Sequence, residues 1–256
     1  MKPTTIEWTD STWNPVTGCN HVSIGCVNCY AERMAVRLKA MGNPRYSQGF
    51  KLRMHEDLAD LPLRWIKPQT IFVNSMSDLF HEHVSDEFIK KIFTTMNKAH
   101  WHRFQLLTKR PFRMVKMADQ LTWSRNIWMG VTIESQRYIH RINLLRCVPA
   151  TVRFISFEPL LSKVDTETSL EGIHWVIVGG ESGLGARSMD KQWVLDIQSM
   201  CDRDSTAFFF KQWGGINRKK TGRMLEGKTW DAMPEPLRYP KSENRILHSG
   251  VNATPQ

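Results

Sequence analysis

From residue 70 to residue 108 the chain reads TIFVNSMSDLFHEHVSDEFIKKIFTTMNKAHWHRFQLLT. The run Thr70–Asn74 is rich in apolar and β-branched residues, which is typical of a buried strand, and Arg103–Thr108 is a second strand candidate. Between them, apolar residues recur at helical spacing over Phe88–Met96. A strand, a helix and another strand in this order predict a βαβ unit with parallel strands.

The same alternation continues on both sides of this unit. Further strand candidates are residues 13–18, 126–132, 151–157, 173–178 and 206–211, and helical spacing covers residues 30–41, 112–121, 135–145 and 191–203. Seven strands alternating with helices predict an α/β fold, with the parallel strands in a partial or complete (β/α) barrel. A doubly wound open sheet is the alternative. We expect the barrel to span residues 1–213, with an insertion at about 43–68, and residues 214–256 to form a basic irregular tail.

Composition and charge limit the class of protein. The chain has 256 residues, of which 41% are hydrophobic and 23% charged, as in a globular protein rather than a disordered one. A formal net charge of +10 favours nucleic acid or another polyanion as a partner, although it also serves solubility. No apolar run approaches the roughly 18–20 residues of a membrane span, and the first ten residues contain no apolar signal region. We therefore expect a cytoplasmic protein that is not bound to membranes.

Polar and charged side chains follow every strand candidate from residue 70 onward. They are Ser75, Ser77 and Asp78, then Lys109 and Arg110, Thr132 and Glu134, Glu158, Gly179 with Gly180 and Glu181, and finally Lys211 and Trp213. Because residues that follow parallel barrel strands converge on one face, this pattern predicts a functional site there. Helix capping is the alternative for single members. The two glycines are expected to let a ligand approach the backbone, unless they serve only the turn.

Three of the five cysteines are clustered before the first predicted helix. They read Cys19-Asn-His-Val-Ser-Ile-Gly-Cys26-Val-Asn-Cys29. An odd number of thiols in a chain expected to be cytoplasmic does not favour disulfides. The spacing is compatible with a zinc site that takes His21 as its fourth ligand, and with an iron–sulfur cluster. Three thiolates on a four-iron cluster would leave one iron open to a substrate or cofactor.

Several motifs together resemble the phage-associated three-cysteine-motif family, a divergent radical-SAM-like iron–sulfur protein family. They are Trp8-Thr-Asp-Ser-Thr-Trp-Asn-Pro-Val-Thr-Gly-Cys19, Gly25-Cys-Val-Asn-Cys-Tyr-Ala-Glu-Arg33, Asn74-Ser-Met-Ser-Asp-Leu-Phe80, Leu107-Thr-Lys-Arg-Pro111, Gly130-Val-Thr-Ile-Glu134, Ser156-Phe-Glu-Pro-Leu160, Gly179-Gly-Glu-Ser-Gly183 and Lys211-Gln-Trp-Gly214. The resemblance implies a radical SAM type of barrel in which Cys19, Cys26 and Cys29 bind a 4Fe–4S cluster. It also implies cleavage of S-adenosylmethionine (SAM) to a 5′-deoxyadenosyl radical that abstracts a hydrogen from the substrate. An electron donor protein would supply the electron.

The chain departs from the common radical SAM pattern in two places. Six residues separate Cys19 from Cys26, where three are usual, and the aromatic Tyr30 follows the last cysteine instead of preceding it. The Gly-Gly-Glu motif, which usually follows the second strand and holds the amino group of SAM, comes four strands later in this chain, at Gly179.

Binding roles for the other strand-end residues follow from their predicted positions. For SAM, we expect Ser75, Ser77 and Asp78 near the methionine moiety, Thr132, Glu134 and Glu158 around the ribose and amine, and a contribution from Gly179, Gly180 and Glu181. For the substrate, we expect Lys109, Arg110, Arg187 and Lys211 to bind a phosphate or carboxylate, and Trp13, Trp128 or Trp213 to stack on bases, although packing is the better interpretation of most tryptophans. The charge and the phage association favour a nucleotide, DNA or RNA substrate. A partner protein that closes the barrel is also plausible.

Two other functions remain open. The first is a non-catalytic nucleic-acid-binding protein whose cysteines bind zinc or a cluster for structural purposes. The second is a divalent-metal barrel hydrolase that uses the carboxylates of Asp78, Glu134, Glu158 and Glu181. The second leaves the cysteine cluster unexplained.

Overall fold

Seven parallel strands form one sheet in the computed structural model of the protein, which describes residues 4 and 6–234. In chain order the strands are β1 (Ser11–Trp13), β2 (Val16–Thr17), β3 (Arg53–Met54), β4 (Thr70–Val73), β5 (Arg103–Thr108), β6 (Ile127–Thr132), β7 (Val152–Phe157), β8 (Trp175–Gly179) and β9 (Ala207–Gln212). Strands β2 and β3 form a separate antiparallel pair.

The order of strands in the sheet decides between the two predicted architectures. It is β1-β4-β5-β6-β7-β8-β9, so that each strand of this sheet lies beside the strand of the same sheet that follows it in the chain. A doubly wound sheet would reverse direction part-way through, and this one does not. The predicted α/β fold with a partial barrel is therefore confirmed. Among the described residues β9 does not pair with β1, so the barrel is not complete.

The inner face of the curved sheet carries a buried cluster of mainly aromatic side chains, here called the aromatic floor. Its members are Trp8, Phe72, Trp128, Val152, Phe154, Trp175, Ile177 and Phe209, all buried. Trp8 precedes β1, yet its ring centroid lies 4.7 Å from that of Phe72 in β4 and 6.0 Å from that of Trp175 in β8. A contact that spans the first and the sixth strands of the sheet requires a curved sheet. Trp128, 2% exposed, is a packing residue and does not stack on a ligand.

The described helices are α1 (Tyr30–Ala40), α2 (Asp86–Lys98), α3 (Pro111–Ala118), α4 (Arg141–Arg146), α5 (Lys191–Arg203) and the short α6 (Arg218–Thr221). Helices α2 to α5 cover the outer face of the sheet and bury the larger core against it, whereas α1 packs in a separate cluster with Tyr46 and Met76. Helix α2 shows why the predicted spacing works: Ser85 caps its first turn by accepting a hydrogen bond from Phe88 N at 3.2 Å. Its apolar stripe, which includes Ile89, Ile92 and Met96, is fully buried against the sheet.

Two predicted elements differ from the structure. The predicted first strand at residues 13–18 is wrong in its bounds, because β1 ends at Trp13 and the chain then turns at Asn14 and Pro15 to pair as β2 with β3. The predicted helix over residues 135–145 is interrupted: a 3-10 turn at Gln136–Tyr138 comes before α4. Trp13 is 1% exposed in the main core, so the suggested stacking of Trp13 on bases is also wrong.

The segments outside the βα units pack on the sheet. Residues 43–68 consist mainly of 3-10 turns and β3, and Leu58 O accepts a hydrogen bond from Trp13 Nε1 at 2.8 Å. Residues 214–234 return to β9, where Phe210 N donates to Trp230 O at 2.9 Å. The domain boundary after residue 213 stays a prediction, and the rest of the predicted tail, 235–256, lies outside the described residues.

None of the helices in the described part of the chain combines the length and the apolar character needed to cross a membrane.

Candidate functional site

The cysteine loop, residues 19–29, lies over the carboxyl ends of the parallel strands. It begins where Gly18 N donates to Met76 O at 3.0 Å, and it ends at Cys29, directly before α1. Gly18 has a φ of +83°, and a Cβ there would overlap the carbonyl of Lys51, so only glycine allows the chain to enter the loop in this way. From there, charged strand-end residues hold the loop at three places.

The first anchor is Arg110, in the turn after β5. Its Nη1 lies 3.4 Å from Cys19 Sγ and 3.2 Å from the buried carboxylate of Asp78, and its Nε lies 2.8 Å from Glu82. Asp78 also accepts hydrogen bonds from Thr108 Oγ1 at 2.8 Å and from a backbone amide. The guanidinium is therefore fixed in position, and one of its N–H groups points at the first cysteine.

The second anchor is Glu134, whose side chain is fully buried at the end of β6. One carboxylate oxygen accepts a hydrogen bond from Ser23 of the cysteine loop, and the other lies 3.1 Å from Nη1 of Arg141. Lys109 Nζ is 3.6 Å away. Gly25 allows this approach, because a Cβ at Gly25 would come within 2.5 Å of the Glu134 side chain.

The third anchor is the ion pair of Glu181 with Arg187, beyond β8. Glu181 lies 2.6 Å from Arg187 Nη2 and accepts a hydrogen bond from Asn28 of the cysteine loop at 2.9 Å. Arg187 in turn donates to Ile24 O at 2.9 Å. Burial alone would raise the pKa of Glu181, but the hydrogen bonds from Arg187 and Asn28 outweigh it and lower that pKa to about 2.

A fourth ion pair does not hold the loop. Glu158, after β7, lies 2.9 Å from Lys211 Nζ of β9, and it also accepts a hydrogen bond from Ser156 Oγ at 3.1 Å. Alternation along the strands places Ser156, Lys211 and Thr132 on the inner face, beyond the aromatic floor. This polar layer lies at the mouth of the partial barrel.

Asn74 belongs to the same layer, at the end of β4. Its Oδ1 accepts a hydrogen bond from Val16 N at 3.2 Å, whereas its Nδ2 is buried and has no hydrogen-bond partner among the described residues. A buried donor without a partner costs free energy, and a polar ligand at the strand ends would relieve that cost.

Tyr30 joins the cysteine loop to this polar layer. The residue as a whole is 52% exposed, but its hydroxyl donates a hydrogen bond to Ser75 O. Burial of the hydroxyl raises the pKa of Tyr30 above its ordinary value, and the nearby Cys29 and Glu158 add to the effect. Tyr30 therefore links the start of α1 to the turn after β4, within electrostatic range of Cys29 and Glu158.

The donor chemistry of the loop fits a thiolate-bound metal group. Cys19, Cys26 and Cys29 are free and partly exposed. In the described part of the chain, however, no three His, Cys, Asp or Glu side chains are grouped closely enough to hold a single metal ion. Burial raises the pKa of the Cys19 thiol against the opposing effect of Arg110. The Nε2 atom of His21 lies 2.9 Å from Glu32 of α1, so this ring is engaged with a carboxylate.

The structure separates the other predicted site residues into several groups. The carboxylates of Asp78, Glu134, Glu158 and Glu181 each bind a basic side chain, which leaves no shared carboxylate pair for the divalent-metal hypothesis. The same pairs engage Lys109, Arg110, Lys211 and Arg187. Ser77 Oγ donates to Val16 O at 2.8 Å, Ser75 Oγ donates to Asn14 Oδ1 at 3.2 Å, and the carbonyl of Thr132 accepts a hydrogen bond from Arg141.

Protein atoms surround the two glycines of the Gly-Gly-Glu motif. A Cβ at Gly179 would lie 2.6 Å from Glu158 Oε1, and a Cβ at Gly180 would overlap the backbone carbonyl of Trp213. Trp213 is itself partly buried, with Nε1 2.8 Å from Met224 O. At Gly180 the close approach is therefore between two segments of the protein backbone.

We expect Gly180→Ala to lower the free energy of unfolding by about 3 kcal/mol, because the added methyl group meets rigid backbone. Gly42→Ala is the control: its position has a φ of +72° but open space, so only backbone strain of about 1 kcal/mol is expected. Urea denaturation measures both. Equal losses would show that the contact with Trp213 has no effect.

The residues of the anchors that sequence reasoning missed are Ser23, Asn28 and Arg141. They are ordinary polar residues away from the strand ends, and only the folded contacts reveal them. The sequence did point to Tyr30, because this aromatic residue directly follows the last cysteine of the loop.

Comparison with known proteins places the chain in a family. A family model described as a protein of unknown function, DUF5131, matches residues 3–234. The chain belongs to this family. Comparison with curated proteins gave no significant match. The predicted phage association stays a prediction.

Solved structures of spore photoproduct lyase also match the DUF5131 chain. A cysteine-to-serine mutant has 14% identity and a TM-score of 0.47, over 79% of this chain and 64% of that one. A second mutant, with AdoMet and dinucleoside spore photoproduct bound, has 14% identity and a TM-score of 0.44, over 75% and 61%. The chain thus spans less than two thirds of the length of these proteins. At these values the likeness carries no argument about chemistry.

Proposed function

We propose that the protein is a radical SAM-like enzyme in which Cys19, Cys26 and Cys29 hold a 4Fe–4S cluster. The observation that carries this proposal is the placement of three free thiols on one loop that three strand-end anchors hold over a polar layer. A purely structural zinc loop would not require a polar layer with an unpaired buried donor below it. When bound, the cluster would supply one-electron chemistry at an iron open to SAM.

The chain's own residues have two roles in this proposal. Asp78 holds the loop through Arg110, Glu134 through Ser23, and Glu181 through Asn28 and Arg187, and so they fix the thiols relative to the sheet. Glu158, Lys211 and the free amide hydrogens of Asn74 bind the polar groups of SAM, with Ser75, Ser77, Thr132 and Gly179 shaping the space around them. Arg110 donates toward Cys19 Sγ, which favours the thiolate that a metal needs.

The substrate in this proposal is a nucleotide or nucleic acid, as the net charge of +10 favours. An electron donor protein would provide the electron. A partner protein that closes the barrel is part of this proposal, since β1 and β9 do not pair with each other among the described residues.

The experiment is metal analysis after anaerobic purification and reconstitution. We expect about four irons per chain in the wild type and loss of most of the iron in Cys26→Ala. Cys147→Ala is the matched control, because Cys147 is a free, exposed thiol in the part of the chain outside the cysteine loop. Zinc without iron in the wild type would contradict the proposal and favour the metal-bound nucleic-acid-binding protein. Equal iron in all three proteins would also contradict it.

A further inference from the structure

Two adjoining clefts lie between the segment after β8, residues 182–189, and the chain after β9, and the first of them is also bordered by α1. The first has a volume of about 380 Å³ and is lined by Tyr30, Arg33, Met34, Arg37, Gly183 and Ile216, among others. The second has a volume of about 490 Å³ and includes Trp213, Thr221 and again Ile216. Each is within the size range of ligand pockets, and both are lined by Ile216, so they adjoin; we call the two clefts together the track.

The cations of the first cleft differ from those at the strand ends. Lys109, Arg110 and Lys211 are all paired with carboxylates. By contrast, neither Arg33 nor Arg37 forms an ion pair within the described residues, and no acidic side chain lines this cleft. Positive charge that the protein does not neutralise is therefore concentrated in the cleft.

Arg33 is held in position without losing its charge. Its Nη2 donates to Asn28 O at 3.1 Å and its Nη1 to Ser182 O at 3.4 Å, so both contacts are with neutral carbonyls. Gly183, with a φ of +98°, leaves room for the guanidinium, because a Cβ there would overlap Nη1. A fixed guanidinium loses little entropy when it binds a phosphate, and its planar fork suits phosphate oxygens.

The apolar part of the cleft is open to solvent. Tyr30, Met34 and Ile216 are 52%, 40% and 76% exposed. An aromatic ring and apolar side chains beside unpaired arginines are the usual combination in sites for single-stranded nucleic acid, where bases stack and phosphates pair.

The track continues toward a basic segment. Thr221, which borders the second cleft, is the last residue of α6, and Lys220 in that helix is exposed. Two joined clefts that lead from Arg37 to this basic helix suit several successive nucleotides better than a single one.

We propose that this track binds a single strand of nucleic acid, with Arg33 and Arg37 on its phosphates and the apolar side chains against its bases. The inference specifies the substrate class of the proposed function and rests on it. It assigns phosphate recognition to α1, in place of Lys109, Arg110 and Lys211, which the structure pairs with carboxylates. Arg187 lines the second cleft, where it is paired with Glu181.

The test is fluorescence anisotropy of the full-length protein with a labelled, mixed-sequence DNA single strand of about 12 nucleotides, a length that spans a typical single-strand site. We expect Arg37→Gln to weaken binding about fivefold and to reduce the slope of log K against log salt by about 0.7, the loss of one phosphate contact. Arg125→Gln removes the same charge from an exposed position just before β6, at the amino end of that strand, whereas the cysteine loop lies over the carboxyl ends, and should change affinity less than about twofold.

Three results would overturn the inference: no binding by the wild type, equal losses in the two variants, or tighter binding of the matching duplex. Iron content is measured on the same preparations and does not depend on this assay. Iron-loaded protein that does not bind the strand refutes the track alone. If none of the preparations holds iron, but the affinity for the strand falls only in Arg37→Gln, the enzyme proposal is refuted and the track is supported.

Discussion

Replacing Glu134 by glutamine is expected to lower the free energy of unfolding by about 3–5 kcal/mol. The substitution keeps the shape of the side chain but removes its charge. Arg141, with its side chain only 5% exposed, would then lose its buried counter-charge, while its contacts with Thr132 O and with the face of the Tyr138 ring, 4.3 Å from its guanidinium carbon, are neutral. An uncompensated buried charge is among the most costly defects in a protein.

The matched control is Glu82→Gln. Glu82 also pairs with a strand-end arginine, Arg110, at 2.8 Å, but its side chain is 47% exposed. Solvent screens such a pair, so we expect a loss below about 1 kcal/mol. Chemical denaturation at pH 7 measures both variants. Similar losses would show that burial of the Glu134 pair does not decide its contribution.

The second large loss of stability is expected for Glu181→Gln, and its size depends on pH. The pKa of Glu181 falls from 4.5 to about 2 on folding, which corresponds to about 3 kcal/mol of stability. Because the folded state holds this proton more weakly than the unfolded state, the stabilisation is complete above pH 4.5 and is lost as the pH falls toward 2. Glu181→Gln should therefore cost about 3 kcal/mol at pH 7 and progressively less below pH 4.5.

Glu171→Gln provides the comparison for this pH profile. Glu171 is exposed, so its substitution should change stability by less than about 0.5 kcal/mol at any of these pH values. Urea midpoints at pH 7, 4.5 and 3 give the three points needed. A difference between wild type and Glu181→Gln that stays constant over this range would contradict the assigned ion pair with Arg187.

Strand and helix placement could be predicted because local patterns decide it. The run at residues 103–108 is observed as β5 over the same residues, and the predicted helix at 191–203 is observed as α5. Alternation of strands and helices then requires parallel pairing, which led to the partial barrel. The predicted bounds of the first strand were wrong because the pairing of Val16 and Thr17 with β3 depends on residues far along the chain.

The sequence could predict where the candidate site lies, but not which partner each of its residues contacts. That the strand ends and the cysteine loop meet at one face follows from topology, and the structure brings Cys19 to Arg110 and Asn28 to Glu181. What each charged residue does there depends on its partner. The sequence contains no signal that Arg187 pairs with a carboxylate while Arg37 has no acidic partner among the described residues.

The central claim is that the three thiols of the cysteine loop hold a cluster with an iron open to SAM. The most direct measurement is electron paramagnetic resonance of the reconstituted, reduced protein with and without SAM, together with iron, sulfide and zinc analysis. We predict about four irons per chain and a cluster signal that changes when SAM is added. Zinc with no iron, or a cluster signal that SAM leaves unchanged, would contradict the account.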